Sequence, residues 1–137
     1  MPISLEIVIP SKTVYSEIVD HVVVPTLRGK IDILPNHVPL IDKLVAGDIK
    51  VEKDGNIEYL AVGSGFVEVY SEKVSLLTDQ AINVSNTDDA EIDAAINRAE
   101  EALQQGRSSK IDQDKLDKLE AAAKFAFAQK MAKGKSR

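Results

Sequence analysis

The 137-residue sequence has no cysteine and no tryptophan, only two histidines, and aromatic residues make up just 4% of it. Without cysteine there are no disulfides, thiolate zinc sites or thiol nucleophiles. His21 and His37 are too few for a His-rich metal centre. No apolar run approaches the ~20 residues that span a bilayer, which speaks against direct membrane insertion. The first residues carry neither a basic stretch nor a signal-like apolar core, and the chain reads as unexported. Positive charge is also scarce. Seventeen basic against twenty-two acidic residues give a net charge of −5, which argues against a nucleic-acid binder that must neutralise phosphates. A G-x-x-x-x-G-K-[ST] loop, a nucleophile-elbow pattern and an obvious acid/base pair are all missing, so no catalytic residue, cofactor or metal is expected.

What is present divides sharply near residue 87. All five prolines and twenty-four of the twenty-seven Val and Ile residues precede it, whereas eleven of the fourteen alanines follow it. β-Branched residues suit a pleated, half-buried surface, and Ala has the highest helix propensity. The composition predicts an α+β chain with an all-β domain over 1–87 and a helical domain over 88–137. Seven bases and twelve acids lie in the first part and ten of each in the second, so the whole acidic balance belongs to the β part.

Ile3, Leu5, Ile7 and Ile9 share one face of a strand, with Ser4 and Glu6 on the other. Residues 49–53 alternate likewise and run into Asp54-Gly55, a hairpin-type turn. Further strand runs are 18–24, 30–34, 57–62, 65–70 and 73–78. Short strands at this spacing indicate a sandwich or barrel. The close pair Gly63 and Gly65 falls between two strands and reads as a close backbone approach. In Ile33-Leu34-Pro35-Asn36-His37-Val38-Pro39-Leu40, two prolines flank Asn36, the non-glycine type that best tolerates positive φ. That pattern predicts a rigid turn in which His37 bonds to nearby backbone. His21 reads as a half-buried strand residue.

In the Ala-rich part, Asp88 with Glu91 resembles a capping box and Gly106 reads as a stop, which predicts a helix over about 89–105. Ile92, Ile96, Ala99 and Leu103 form its apolar stripe. Ser109 with Asp112 would cap a second helix over about 110–133, ended by Gly134, with Leu116, Leu119, Ala123, Phe127 and Met131 turned inward. So short a connection makes an antiparallel hairpin. The hairpin has about seven large apolar side chains worth roughly 1.5–3 kcal/mol each when buried. Ordering its residues costs roughly 1–2 kcal/mol apiece in backbone entropy. It therefore needs the β-domain or a partner to stay closed, and it is a candidate moving part. The second helix turns from acidic to basic along its length. That gradient complements the helix dipole and equally suits docking onto an acidic protein surface.

Three segments together resemble the ε subunit of F-type ATP synthases over essentially the whole chain. They are I-L-P-N-H-V-P-L at 33–40, G-S-G-F-V-E-V at 63–69 with the following K-V-S-L-L-T-D, and the Ala-rich ending of about 50 residues. The resemblance implies a sandwich of about ten strands followed by two helices. It implies a non-catalytic rotor subunit of the central stalk, joining the γ subunit to the c ring in proton-driven synthesis. Such a subunit is peripheral on the cytoplasmic face of the bacterial inner membrane, or on the thylakoid stromal face if plastid-encoded. It also implies a hairpin that can extend into the α/β head and inhibit ATP hydrolysis. By position, Leu27, Arg28, Gly29 and Lys30 would meet the c ring, Pro35, Asn36, His37 and Pro39 would form the structural turn, and Lys118, Lys124 and Lys130 would meet an acidic segment of the β subunit. Relatives often have an acid where this chain has Lys30 and a glycine where it has Asp32. Some relatives bind ATP through I-D-x-x-R-A on the first helix. Here Ile92-Asp93 begins the motif, but Ile96 holds the arginine position and Arg98 comes two residues late. Rival readings are an ATP-sensing module and a free-standing β-sandwich adaptor.

Overall fold

The computed structural model describes residues 2–84, 87–109 and 112–135. Ten strands are followed by two helices: β1 (Ile3–Ile9), β2 (Lys12–Val19), β3 (His21–Thr26), β4 (Gly29–Ile33), β5 (Leu40–Leu44), β6 (Gly47–Lys53), β7 (Asn56–Val62), β8 (Gly65–Tyr70), β9 (Lys73–Thr78), β10 (Ala81–Asn83), α1 (Asp89–Ser108) and α2 (Gln113–Lys135). The strands hydrogen-bond in the order β10-β7-β6-β3-β5-β8-β9-β1-β2, with β4 paired to β3. Every pairing is antiparallel except β1 with β9. One buried cluster draws Leu5, Val19, Val22, Ile33, Leu44, Val51, Leu60, Val67 and Leu76 from nine different strands. A sheet whose far strands share one core must fold over itself, which makes it a β-sandwich.

Local chemistry accounts for the turns. Asp54 and Gly55 have φ of 51° and 79°, the two positive values that a two-residue type I′ hairpin requires between β6 and β7. Asn36 has φ 67° between its prolines. The His37 ring donates from Nδ1 to the Val38 carbonyl at 2.8 Å, and its backbone N–H reaches the Leu34 carbonyl at 3.2 Å. A Cβ on Gly63 would lie 2.1 Å from Asp79 Oδ1, and one on Gly65 would lie 1.8 Å from the Leu77 carbonyl oxygen. Gly65 is the close backbone approach that the sequence indicated, whereas Gly63 makes room for the Asp79 side chain.

Several local readings need correction. The run 18–24 is split at Asp20, whose carboxylate accepts the Asp54 N–H at 2.9 Å. Residues 12–19 form the edge strand β2, where Ile18 is exposed beside buried Val19 and alternation is weak. Gly106 does not stop α1. It is buried inside the helix, which ends two residues on, where the Ser108 hydroxyl donates to the Gln104 carbonyl and the Ser109 N–H reaches the Gln105 carbonyl. Ser109 thus caps the end of α1, not the start of α2. Asp88 sits at the N-cap position with extended backbone, but its side chain makes no capping bond. Gly134 lies within α2.

The inward face of α2 also differs from expectation. Phe127 and Met131 are 45% and 52% exposed, while Ala123, Phe125, Ala126, Ala128 and Ala132 are buried. Two neighbours approach α2 from different sides. Ala126 packs on Ile92 and Ile96 of α1, and Ala128 and Ala132 pack on Ala61 and Val84 of the sandwich. Only small side chains fit where both approaches are close.

Candidate functional site

Two surfaces stand out: the loop between β3 and β4, and the seam between α2 and the sandwich. In the loop, Thr26 pairs across to Gly29, leaving Leu27 and Arg28 as a two-residue tip. The Thr26 hydroxyl donates to the Gly29 carbonyl at 2.6 Å and accepts the Arg28 N–H at 3.3 Å. Gly29 has φ 114°, a value that glycine alone adopts readily. The tip is fastened to β5. The Leu27 N–H bonds the Lys43 carbonyl at 3.1 Å, and Arg28 donates from Nε and Nη2 to Asp42 Oδ2 at 3.0 and 2.9 Å. Arg28 holds the Asp42 carboxyl below the usual carboxylate range. Leu27 itself projects, 69% exposed, and Leu34, Val38 and Ile41 of the neighbouring turn and strand are exposed as well. The structure thus presents an apolar tip on a rigid mount.

The seam is made from alanines and closed by polar clips. The Lys133 ammonium donates to the Val84 carbonyl at 3.1 Å, and the Lys135 ammonium lies 2.8 Å from Asp48 Oδ2. Asp48 is on β6, opposite Ala61 on β7, and only 4% exposed. Lys30, on β4 opposite Pro25, reaches the same Asp48 oxygen at 3.7 Å. The bond to Asp48 holds the Lys135 ammonium above its ordinary value, while Lys135 alongside, together with burial, pulls Lys30 below its own. Within the hairpin, Lys130 pairs with Asp93 at 3.2 Å and Arg107 with Glu120 at 3.8 Å. Nearer the start of α2 the fit is looser. A crevice of about 470 Å³ separates Gly63, Ser64 and Asp79 from Asp117, Glu120 and Lys124.

The candidate inhibitory residues do not form one patch here. Lys118, Lys124 and Lys130 are six residues apart, so at about 100° per residue they point in three directions roughly 120° apart. Lys124 lines the crevice, and Lys130 is engaged by Asp93. Of the two candidates for a nucleotide site, Ile92 is buried in the α1–α2 contact, and it lines one cavity together with Asp93, Lys130 and Lys133. Arg98 lines a different one with Glu91 and Gln129. His21 is half-buried between Glu52 (3.1 Å) and Asp32 (3.5 Å). Among the described residues, no group of three His, Asp or Glu side chains is placed to hold a metal ion. No helix among them is long and apolar enough to cross a membrane.

Sequence reasoning missed Asp48 and Ala61. Strict alternation assigns both to the solvent face of the sheet, yet both are buried. The run Leu60-Ala61-Val62 carried a faint signal, because a small residue in an outward position of an apolar strand suits a helix laid against it.

The class that these features define is a β-sandwich protein with a docked helical hairpin, its distinctive surfaces being a mounted loop and a seam. Residues 2–84 match the family described as ATP synthase, Delta/Epsilon chain, beta-sandwich domain, and the chain belongs to that family. The curated relatives it resembles are epsilon chains. The ATP synthase epsilon chain of Halalkalibacterium halodurans is 37% identical over 108 residues, covering 79% of this chain and 81% of the relative. That of Pelotomaculum thermopropionicum is 40% identical over 99 residues, covering 72% and 74%. A solved chain of the Euglena gracilis mitochondrial ATP synthase (OSCP/F1/c-ring) superposes with a TM-score of 0.72 at 20% identity, covering 94% of this chain and 79% of that one. One from the Tetrahymena thermophila central stalk and c ring does so with a TM-score of 0.57 at 11% identity, covering 100% and 98%. Likeness at these identities shows the fold.

Proposed function

We propose that the chain is a non-catalytic epsilon subunit in the central stalk of an ATP synthase. Its sandwich bridges the γ subunit and the c ring and passes torque during proton-driven synthesis. Its hairpin restrains ATP hydrolysis when it leaves the sandwich and extends toward the α/β head. The protein is then peripheral to the membrane, held there by its partners. Family membership and the central-stalk and c-ring context of the structural neighbours support the first part. The exposed apolar tip at Leu27, held rigid by Arg28 and Asp42, is a surface suited to the ring.

The observation that carries the hairpin reading is the composition of the seam. Ala128 and Ala132 bring only methyl groups to Ala61, Val84, Tyr59 and Ile82, each worth about 0.8 kcal/mol when buried, well short of what a Leu or Phe on the helix would give. A docked state held by so little can exchange with a second packing a few kcal/mol away. Phe127 and Met131, one turn apart and exposed, offer the released helix an apolar face for a partner. The test is ATP hydrolysis by the assembled complex carrying the full chain or a chain ending at residue 87. No helix residue belongs to the main core, so the shortened sandwich should fold. Faster hydrolysis on truncation is the expected result, and equal rates would overturn the inhibitory role. Separately, failure of residues 1–87 to retain γ would overturn the bridging role.

A further inference from the structure

Asp48 presents one buried oxygen to two ammonium groups. Lys135 lies 2.8 Å and Lys30 3.7 Å from Oδ2. The two lysines come from the parts the proposed function assigns to different tasks, the end of the hairpin and the start of β4 beside the loop suited to the ring. A buried carboxylate requires a cation nearby, because unpaired charge is costly to hold out of water. One carboxylate cannot neutralise two. The site carries a net positive charge when the hairpin is docked, and Lys135 pulls Lys30 toward its neutral form. Tyr59 of β7 packs against the same seam.

We infer that Asp48 is a shared counter-ion for which Lys30 and Lys135 compete, so that drawing Lys30 onto a carboxylate of a partner locks the hairpin onto the sandwich. The sign follows from what each state leaves behind. When the hairpin departs with Lys135, Asp48 keeps Lys30 and the repulsion between the lysines ends, so Lys30 eases release. When a partner's acidic group takes Lys30, Lys135 is the one left of the two cations, and departure breaks the pair that remains at Asp48. Linkage makes the effect reciprocal: a docked hairpin weakens the hold of Asp48 on Lys30 and makes it more available to an acidic surface. Only the identity of the partner rests on the proposed function. The competition is a property of the isolated chain.

Because the protein lacks cysteine, one introduced thiol reports docking without interference. Ala128 is buried in the seam, so in Ala128→Cys the thiol reacts with a maleimide only when the hairpin leaves the sheet. In that full-length background, Lys135→Met and Asp48→Asn should each speed labelling about fivefold or more, and Lys30→Met should slow it by a similar factor. In the Lys135→Met background, Lys30→Met should no longer slow labelling but speed it, since no competitor remains and Lys30 is then the last of the two cations on the carboxylate that docking buries. A Lys30→Met rate that rises or stays level with Lys135 present overturns the competition, as does a Lys135→Met rate that does not rise. The lysine variants alter partly exposed side chains, so the test survives even if Asp48→Asn fails to fold. With no synthase present, its outcome is independent of the truncation assay.

Discussion

In the docked hairpin the Lys130 ammonium lies 3.2 Å from the Asp93 carboxylate, joining α2 to α1. A candidate contact for an acidic partner and a candidate nucleotide ligand thus occupy each other. Both side chains are more than half exposed, so the pair is worth less than about 1 kcal/mol. Asp93→Ala is expected to shift the melting temperature by only a few degrees. A shift larger than ~8 °C would mean that the pair does more than tie two helices together.

Backbone proximity predicts a much larger effect at Gly65. Its missing Cβ leaves room for the Leu77 carbonyl, and Gly65→Ala would place a carbon 1.8 Å from that oxygen. The strands β8 and β9 would have to part, which should cost at least the upper end of the ~1–3 kcal/mol typical of overpacking. Gly63→Ala meets a side-chain oxygen of Asp79, whose rotation relieves the clash, so it should cost less. Urea midpoints of the two variants check the ranking, and equal midpoints would contradict it.

Stability should fall at both ends of the pH scale for separate reasons. The Tyr15 hydroxyl and Lys53 hold the Glu17 carboxyl below its ordinary value, and Arg28 does the same for Asp42. A carboxyl lowered by folding adds stability above about pH 4, lost as pH falls through the folded value. Tyr15 moves the other way, pushed up by burial and then by Glu17 and Glu58. Its contribution holds below about pH 10 and is lost as pH rises further, because only the unfolded phenol ionises readily. Melting temperature against pH should show both limbs. Tyr15→Phe should flatten the alkaline limb and leave the acid one, and an unchanged alkaline limb would refute this origin.

Millimolar ATP is expected to leave the melting temperature of the isolated chain unchanged. Ile96 stands where the motif of ATP-binding relatives has arginine, and Asp93 and Arg98 line different cavities. Calorimetric heat or a rise in melting temperature with ATP would restore the sensing reading.

Features decided within a few residues could be read from the sequence. Asp54-Gly55 demands its hairpin, Asn36 between prolines accepts positive φ, and Gly65 announces a close backbone. The division near residue 87 follows from the opposed propensities of β-branched residues and alanine. Edge strand β2, five-residue β5 and three-residue β10 escaped because a strand with little to bury leaves little alternation. The exposure of Phe127 and Met131 and the burial of Asp48 were beyond any local pattern. Each depends on where α2 lies against the sheet, and Lys135 reaches Asp48 across 87 residues of sequence. Periodicity tells a chain which side of an element is apolar. Only the packed structure decides what covers that side, because burial belongs to two surfaces and the sequence of one element describes a single one.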